Sequence, residues 1–340
     1  MTGYDVFLAL LRSGLHERPL SSQETATVSA LSLPQWNALL QMAGQQTVTG
    51  LLYQAVTSLG ESVVVPSDIT LNLMARTVTI ERDSRSKREV TESLLQHFRS
   101  EGLSPLVMKG VSVADFYAKP QLRTAGDIDF YFPPGEIRRA WDLLPERSTA
   151  PDGSRHGRVD GIDIDLHERY FDLHVPQSSL PSPGTPEAML LMLSSHILKH
   201  SIGAGVGLRQ CCDMVMAYEA LQDRYDASVL EHCFRQTRTW RWNRLLHAFL
   251  TTYLGMRPQS LFAGTVDISP EPLRAIVLSG GNFGHYAATR QNALAGSKTR
   301  RKRDTFVRFL RRLPFSLRYA PRETIATMGE LVRGNLKPFI

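Results

Sequence analysis

The segment Ile162-Asp163-Ile164-Asp165-Leu166-His167 alternates apolar and polar side chains without a break. This period of two is the strongest constraint on the fold. In an extended strand Asp163, Asp165 and His167 share one face while Ile162, Ile164 and Leu166 share the other. Asp160-Gly161 stands just before it, preceded by another extended run, Arg155 to Val159. Asp-Gly between two such runs predicts a hairpin, because both residues tolerate the positive φ of a type I′ turn. The chain therefore needs a sheet with one core face and one polar face.

Extended patterning is confined to the middle of the chain. Leu106-Val107-Met108 is a compact apolar run ending at Lys109-Gly110, followed by a short helical stretch with Val113, Phe116 and Tyr117 on one side. Asp127-Ile128-Asp129-Phe130-Tyr131-Phe132 alternates as a strand edge at a polar cleft does. Pro133-Pro134 ends it and opens a helix through Ile137, Trp141 and Leu144. Before this region, Trp36, Leu39, Leu40 and Ala43 recur at helical spacing, as do Leu73, Val78, Ile80, Val90, Leu94 and Phe98 in a segment from about Leu71 that Gly102 stops. After it, Glu187 to His200, Gln210 to Leu221 and Leu230 to Leu254 are helical, and no repeat recurs. The expected fold is α+β. A small mixed β-sheet core over residues 103–184 is flanked by an N-terminal helical region, 1–102, and a C-terminal helical domain, 185–340.

Composition narrows the class. With 340 residues, 42% hydrophobic and 21% charged, the chain is globular in character. No run of eighteen apolar residues occurs, and the apolar run Val6 to Leu11 lacks a basic leader and a cleavage site, so no transmembrane or targeting segment is read. Cys211, Cys212 and Cys233 form neither a disulfide framework nor a zinc pattern. Reduced thiols and a cytoplasmic location are expected. The net charge is +6, but ten basic residues and only Asp304 as an acid lie between Lys298 and Arg322. That block alone carries +9, which leaves −3 for everything else. Its apolar residues Phe306, Val307, Leu310 and Leu313 fall at helical intervals, so 298–322 reads as a basic amphipathic helix. Such a helix either contacts a polyanion or docks with a solvated basic face.

The chemistry concentrates in four places: Lys109-Gly110-Val111-Ser112, Arg123, Asp127-Ile128-Asp129, and the alternating strand with Asp163 and Asp165. Asp127 and Asp129 point the same way from an extended strand, and a carboxylate from a neighbouring strand completes a triangle. Two like charges at 4 Å repel by roughly 4 kcal/mol at an effective dielectric of 20, so the cluster calls for a counter-ion. Mg²⁺, or Mn²⁺ in its place, suits carboxylates combined with substrate phosphates. Gly110 permits close backbone approach to a phosphate, Val111 and Ser112 offer N–H groups, and Lys109 and Arg123 can neutralise a triphosphate.

Gly-x-Ser, then Asp-x-Asp, then a later Asp resembles the DNA-polymerase-β type nucleotidyltransferase superfamily. More narrowly, residues 106–132, the Ile164-Asp165-Leu166-His167 strand, the stretch from His196 to Asp213, the Trp36 helix and the Gly281-to-Gly284 turn resemble a bacterial family of uncharacterised nucleotidyltransferases. The likeness runs over most of residues 30–290. It implies metal ligation by Asp127, Asp129 and Asp165, which also form the catalytic set, with Asp163 as the competing third carboxylate. It further implies a nucleotide site at Gly110 and Ser112, with Lys109 and Arg123 beside them. The sequence departs from the superfamily's Gly-Gly or Gly-Ser pair at Gly110-Val111-Ser112, so the triphosphate cradle differs in detail.

Other residues carry two readings each. His167 either orients a ligand or bonds to the backbone. Lys199, Arg209 and Asp213 either reach the nucleotide or join two helices by salt bridges. His196 and His200 have a zinc spacing, but Ile197 stands where a protease base belongs, so they are structural or substrate-facing. Gly203, Gly205 and Gly207 follow no strand and are a turn. The function expected is nucleotidyl transfer from an NTP such as ATP to an acceptor of unknown identity (sugar, small molecule, peptide or RNA). A kinase-like phosphotransferase using the same site is the alternative enzyme. A catalytically silent module binding RNA or a protein partner is the alternative outside enzymes.

Overall fold

Asp160 and Gly161 make the expected turn, with φ of 51° and 78°. Val159 pairs with Ile162, and the register continues antiparallel to Arg155 opposite Leu166. The structure is a computed structural model and describes residues 3–60, 63–150, 153–203, 205–265, 268–280 and 298–332. The Gly281-to-Gly284 turn lies outside them.

The N-terminal part holds α1 (Gly3–His16), α2 (Ser22–Ser29), α3 (Leu33–Gln45), α4 (Thr49–Thr57) and α5 (Ser67–Ser100). The middle holds β1 (Leu106–Met108), α6 (Gly110–Ala114), β2 (Ile128–Tyr131), α7 (Ile137–Asp142), β3 (Glu146–Thr149), β4 (Arg155–Val159) and β5 (Ile162–His167). Then follow α8 (Pro186–Ile202), α9 (Leu208–Leu221), α10 (Ala227–Gln236), α11 (Trp240–Leu254) and α12 (Glu271–Gly280). The last described helices are α13 (Lys298–Tyr319) and α14 (Pro321–Val332). This is the expected α+β architecture, a small mixed sheet among helices.

The five strands run in the order β1-β2-β5-β4-β3. β2 and β5 are parallel, which sets Asp129 beside Asp165 and Tyr131 beside His167. β3 is an exposed edge strand with no apolar alternation to announce it. One face of the sheet is dry: Ile128, Phe130, Phe132, Ile164 and Leu166 bury against Val90, Leu94 and Phe98 of α5 and against α7. The Phe98 ring meets Phe130 and Phe132 edge-on at centroid distances of 5.5 and 5.1 Å. Pairs of this kind add about 0.5–1.5 kcal/mol beyond the area they bury.

The opposite, polar face looks toward the later helices. These share one apolar core with the N-terminal helices, in which Phe7, Trp36, Leu191, Met214 and Trp242 are all buried. Gly50 shows how closely the layers approach: a β-carbon there would lie 2.0 Å from the carbonyl oxygen of Leu122, the residue before Arg123. A backbone atom cannot swing aside as a side chain does. Gly50→Ala is therefore expected to cost about 1–3 kcal/mol through overpacking, read as a lower denaturation midpoint by circular dichroism. An unchanged midpoint would show that the 120–123 segment is not held against α4.

The segment read as one helix from Leu230 to Leu254 is two, α10 and α11, broken at Thr237–Thr239. Arg238 has φ of 59°, and the buried Thr237 hydroxyl bonds the Cys233 carbonyl and the Thr239 hydroxyl. Side-chain bonds of this sort compete with the helical ladder, a local effect invisible to apolar spacing. The basic segment is docked where its side chains are described. Phe309, Ser316 and Tyr319 are buried, and Arg312 donates to the carbonyls of Ser201 and Gly203 at 3.1 and 2.9 Å. It thereby satisfies carbonyls at the C-terminus of α8. The side chains of 298–306 lie outside the described set.

Candidate active site

Asp129 sits at the centre of the polar face, with Met108 of β1 on one side and Asp165 of β5 on the other. It is buried, and its Oδ1 lies 3.3 Å from Lys109 Nζ and 2.6 Å from His167 Nε2. Burial favours the neutral acid, but the Lys109 charge and the His167 hydrogen bond outweigh it and hold Asp129 well below the usual carboxylate range. Asp165 Oδ1 lies 2.5 Å from His156 Nδ1, whose Nε2 is 2.8 Å from the Ser154 hydroxyl. Ligand atoms of Asp129, Asp165 and His167 all fall within 4.8 Å of one another. This group is compatible with a divalent metal.

Asp127 stands one step before β2 and opens into the cleft. The charge of Asp129, then desolvation, then Asp165 push its carboxyl up to about 6, against the pull of Lys109. Three carboxylates thus crowd one place, and Asp127 is the one that yields a proton site. A set of carboxylates with an imidazole beside them is of the kind that suits a divalent cation. Asp163 points the same way along β5 but is exposed, with Arg158 3.6 Å away.

Lys109 reaches Asp129 because the backbone breaks sharply between β1 and α6, with φ of 49° at Lys109 and 34° at Gly110. A positive φ at a lysine is costly and marks a position held by its surroundings. Burial opposes its charge, but Asp129, Asp172 and Asp127 keep its pKa raised and the ammonium protonated. Gly110 borders the cleft, whereas the Ser112 hydroxyl donates to the Lys109 carbonyl at 2.7 Å.

Arg123 is joined to α9. Its Nε and one terminal nitrogen donate to the two oxygens of Asp213, each at 2.7 Å, and the Tyr117 hydroxyl donates to Oδ1 at 2.8 Å. Arg209 donates to the Thr124 carbonyl at 3.1 Å, so the loop that carries Asp127 is tied to α9 twice. Burial and the Arg123 charge lower the Arg209 pKa.

Across a cleft of about 1400 Å³ stands a second polar group. Asp172, in the loop after β5, lies 3.0 Å from His196 Nδ1 and accepts from Lys199 Nζ at 2.8 Å. Farther along that loop His174 lies between two carboxylates of α14, with Nδ1 2.6 Å from Glu323 and Nε2 3.2 Å from Glu330. The hydrogen bond to Glu323 raises the His174 pKa despite partial burial. A raised histidine stabilises the fold fully below its unfolded value of about 6.5, and the contribution is lost as pH rises through the folded value. Wild type should therefore lose thermal stability above neutrality relative to His174→Gln. Parallel pH profiles of the two melting midpoints would remove this latch.

The cleft thus collects Lys109, Gly110, Arg123, Asp127 and Asp129 from the expected set, with Asp165, His167 and Lys199. Ser112 is not among its lining residues. For His156 the sequence holds a signal in the hairpin register: the two-residue turn pairs 159 with 162, and counting outward puts 156 opposite Asp165. Asp172 had no such signal, because its loop carries no period.

Fold and site together define an α+β protein with an acidic, metal-compatible cleft on the polar face of a small sheet. Residues 32–184 match the family described as uncharacterised nucleotidyltransferase, and this supports a nucleotidyltransferase-family assignment for that part of the chain. The match ends before α8. No curated protein and no solved structure matches the chain. No helix among the described residues is long and apolar enough to cross a membrane.

Proposed function

We propose that this chain is a Mg²⁺-dependent nucleotidyltransferase of the DNA-polymerase-β type that moves a nucleoside monophosphate from an NTP, ATP included, to an acceptor hydroxyl or phosphate and releases pyrophosphate. The observation that carries this reading is the register of β2 on β5, which puts Asp129 beside Asp165 with Asp127 two residues upstream. In this reading Asp127, Asp129 and Asp165 hold the cation, and His167 braces Asp129. The bound ion supplies charge neutralisation at the triphosphate and polarises the phosphorus under attack. Lys109 and Lys199 bring positive charge to the same cleft, Gly110 lets the backbone approach a phosphate, and Ser112 fixes the Lys109 turn through the Lys109 carbonyl. Arg123 shapes the cleft wall through Asp213. A cytoplasmic setting belongs to this reading, supported by three buried free thiols, Cys211, Cys212 and Cys233.

The test is transfer of label from NTPs carrying ³²P at the α or the γ position, with Mg²⁺ or with EDTA, to candidate sugars, peptides and RNA. Magnesium-dependent transfer from the α position is expected. Transfer from the γ position would make the protein a kinase, and no metal-dependent NTP binding would sink the enzyme reading.

A further inference from the structure

The sheet-side carboxylates are engaged: Asp129 by Lys109 and His167, Asp165 by His156. The opposite wall holds a group with a different capability. Asp172 takes Lys199 on Oδ1 and His196 on Oδ2. Burial opposes its charge, yet Lys199, His196 and Lys109 hold it well below the usual carboxylate range, so it accepts and does not donate. His196 Nδ1 must then carry the proton in that bond, which leaves the lone pair on Nε2. Among the described residues Nε2 has no hydrogen-bond partner. The ring is fixed by an edge contact with His200, centroids 4.4 Å apart, and it borders the cleft. Burial and the Lys109 charge lower its pKa to about 4, so the imidazole is neutral at pH 7. The same ammonium lies 3.3 Å from Asp129 and acts on Asp172, which ties this wall to the carboxylate cluster.

We infer that His196, oriented by Asp172, is the general base that takes the proton from the acceptor, and that the acceptor is therefore a hydroxyl compound and not a phosphate. The inference rests on the nucleotidyltransferase reading and narrows it. A phosphate acceptor is already ionised at neutral pH and has no proton to lose, whereas an alcohol does. In the step, the acceptor O–H bond breaks and its proton goes to His196 Nε2 as the oxygen bonds to the α-phosphorus. The bond from that phosphorus to the bridging oxygen breaks, and its electron pair leaves on pyrophosphate. The imidazolium, held against Asp172, then returns the proton to solvent. An imidazole with an orienting carboxylate on its far nitrogen is the arrangement such a base requires.

Two measurements on the full chain test this. The first is release and transfer of α-³²P-labelled nucleotide, with Mg²⁺ and with glycerol and water as probe hydroxyls, by wild type, His196→Ala, His196→Gln, Asp172→Asn and Asp129→Asn. Both His196 substitutions should lower kcat roughly 100- to 10,000-fold with the KM for NTP unchanged. Added imidazole should restore part of the His196→Ala rate but none of the loss in Asp172→Asn, where the native ring still fills the site. Wild-type turnover in His196→Ala, or a loss that imidazole does not relieve, overturns the base while the transferase reading stands. No transfer by wild type above Asp129→Asn overturns the transferase reading itself. The second measurement needs no turnover: ¹⁵N resonances of labelled histidine at neutral pH should show His196 protonated at Nδ1 and bare at Nε2. A proton on Nε2 overturns the assignment however the transfer assay comes out.

Discussion

Asp129→Asn is expected to leave no more than about one thousandth of the wild-type transfer rate, a loss of about 4 kcal/mol in transition-state stabilisation. The substitution keeps the shape of the side chain and removes its charge. Asp129 is the carboxylate on which the polar face converges, with Lys109 and His167 on one oxygen and Asp165 at the same register on the next strand. An amide there binds a divalent cation poorly and leaves Lys109 with a weaker reason to stay charged. Calorimetric titration with Mg²⁺ alongside the rate assay separates the two effects: weakened metal binding should accompany the lost rate. Wild-type turnover in Asp129→Asn would end the case for this cleft as the active site.

The second large effect is on stability. Asp213→Ala is expected to cost about 3–5 kcal/mol, the usual penalty for removing one partner of a buried ion pair. Arg123 and Asp213 side chains are 5% and 6% exposed, so the guanidinium left behind is almost wholly shielded from water. Arg209 lies close by, and the Arg123 charge already depresses its pKa. Losing Asp213 sets two cations against each other. The double change Arg123→Met with Asp213→Leu should recover much of the loss, because it removes both charges and keeps volume. Denaturant unfolding of the three variants measures this directly. A rise in the KM for NTP with no change in stability would instead put Arg123 on the nucleotide.

That outcome bears on how far the residues alone could be read. Arg123 was a sound candidate for phosphate contact, since a guanidinium four residues before an Asp-x-Asp is close to it along the chain. Proximity in sequence says nothing about which carboxylate claims it first. Asp213 is ninety residues away, on a helix whose own apolar spacing gives no sign of where it docks. His196 was open between a structural and a substrate-facing role for the same reason. Its partner Asp172 lies in an aperiodic loop, and the two meet only because that loop is held against α8.

Alternation along β5, the Asp-Gly turn and the Asp-x-Asp of β2 determined by themselves that a small sheet would carry its acids on one face and its apolar residues on the other. Those features rest on backbone periodicity and local φ preference, which act over a few residues and need no partner. Only the tertiary structure decided which cation meets which carboxylate. Strand pairing and the break after β1 bring Lys109 to Asp129, while Arg123 meets Asp213, and His196 meets Asp172, through helices held in a core assembled from both ends of the described chain. Burial there is nondirectional and roughly proportional to apolar area, so the helices are held in place by contacts that carry no mark of the polar pairs they create.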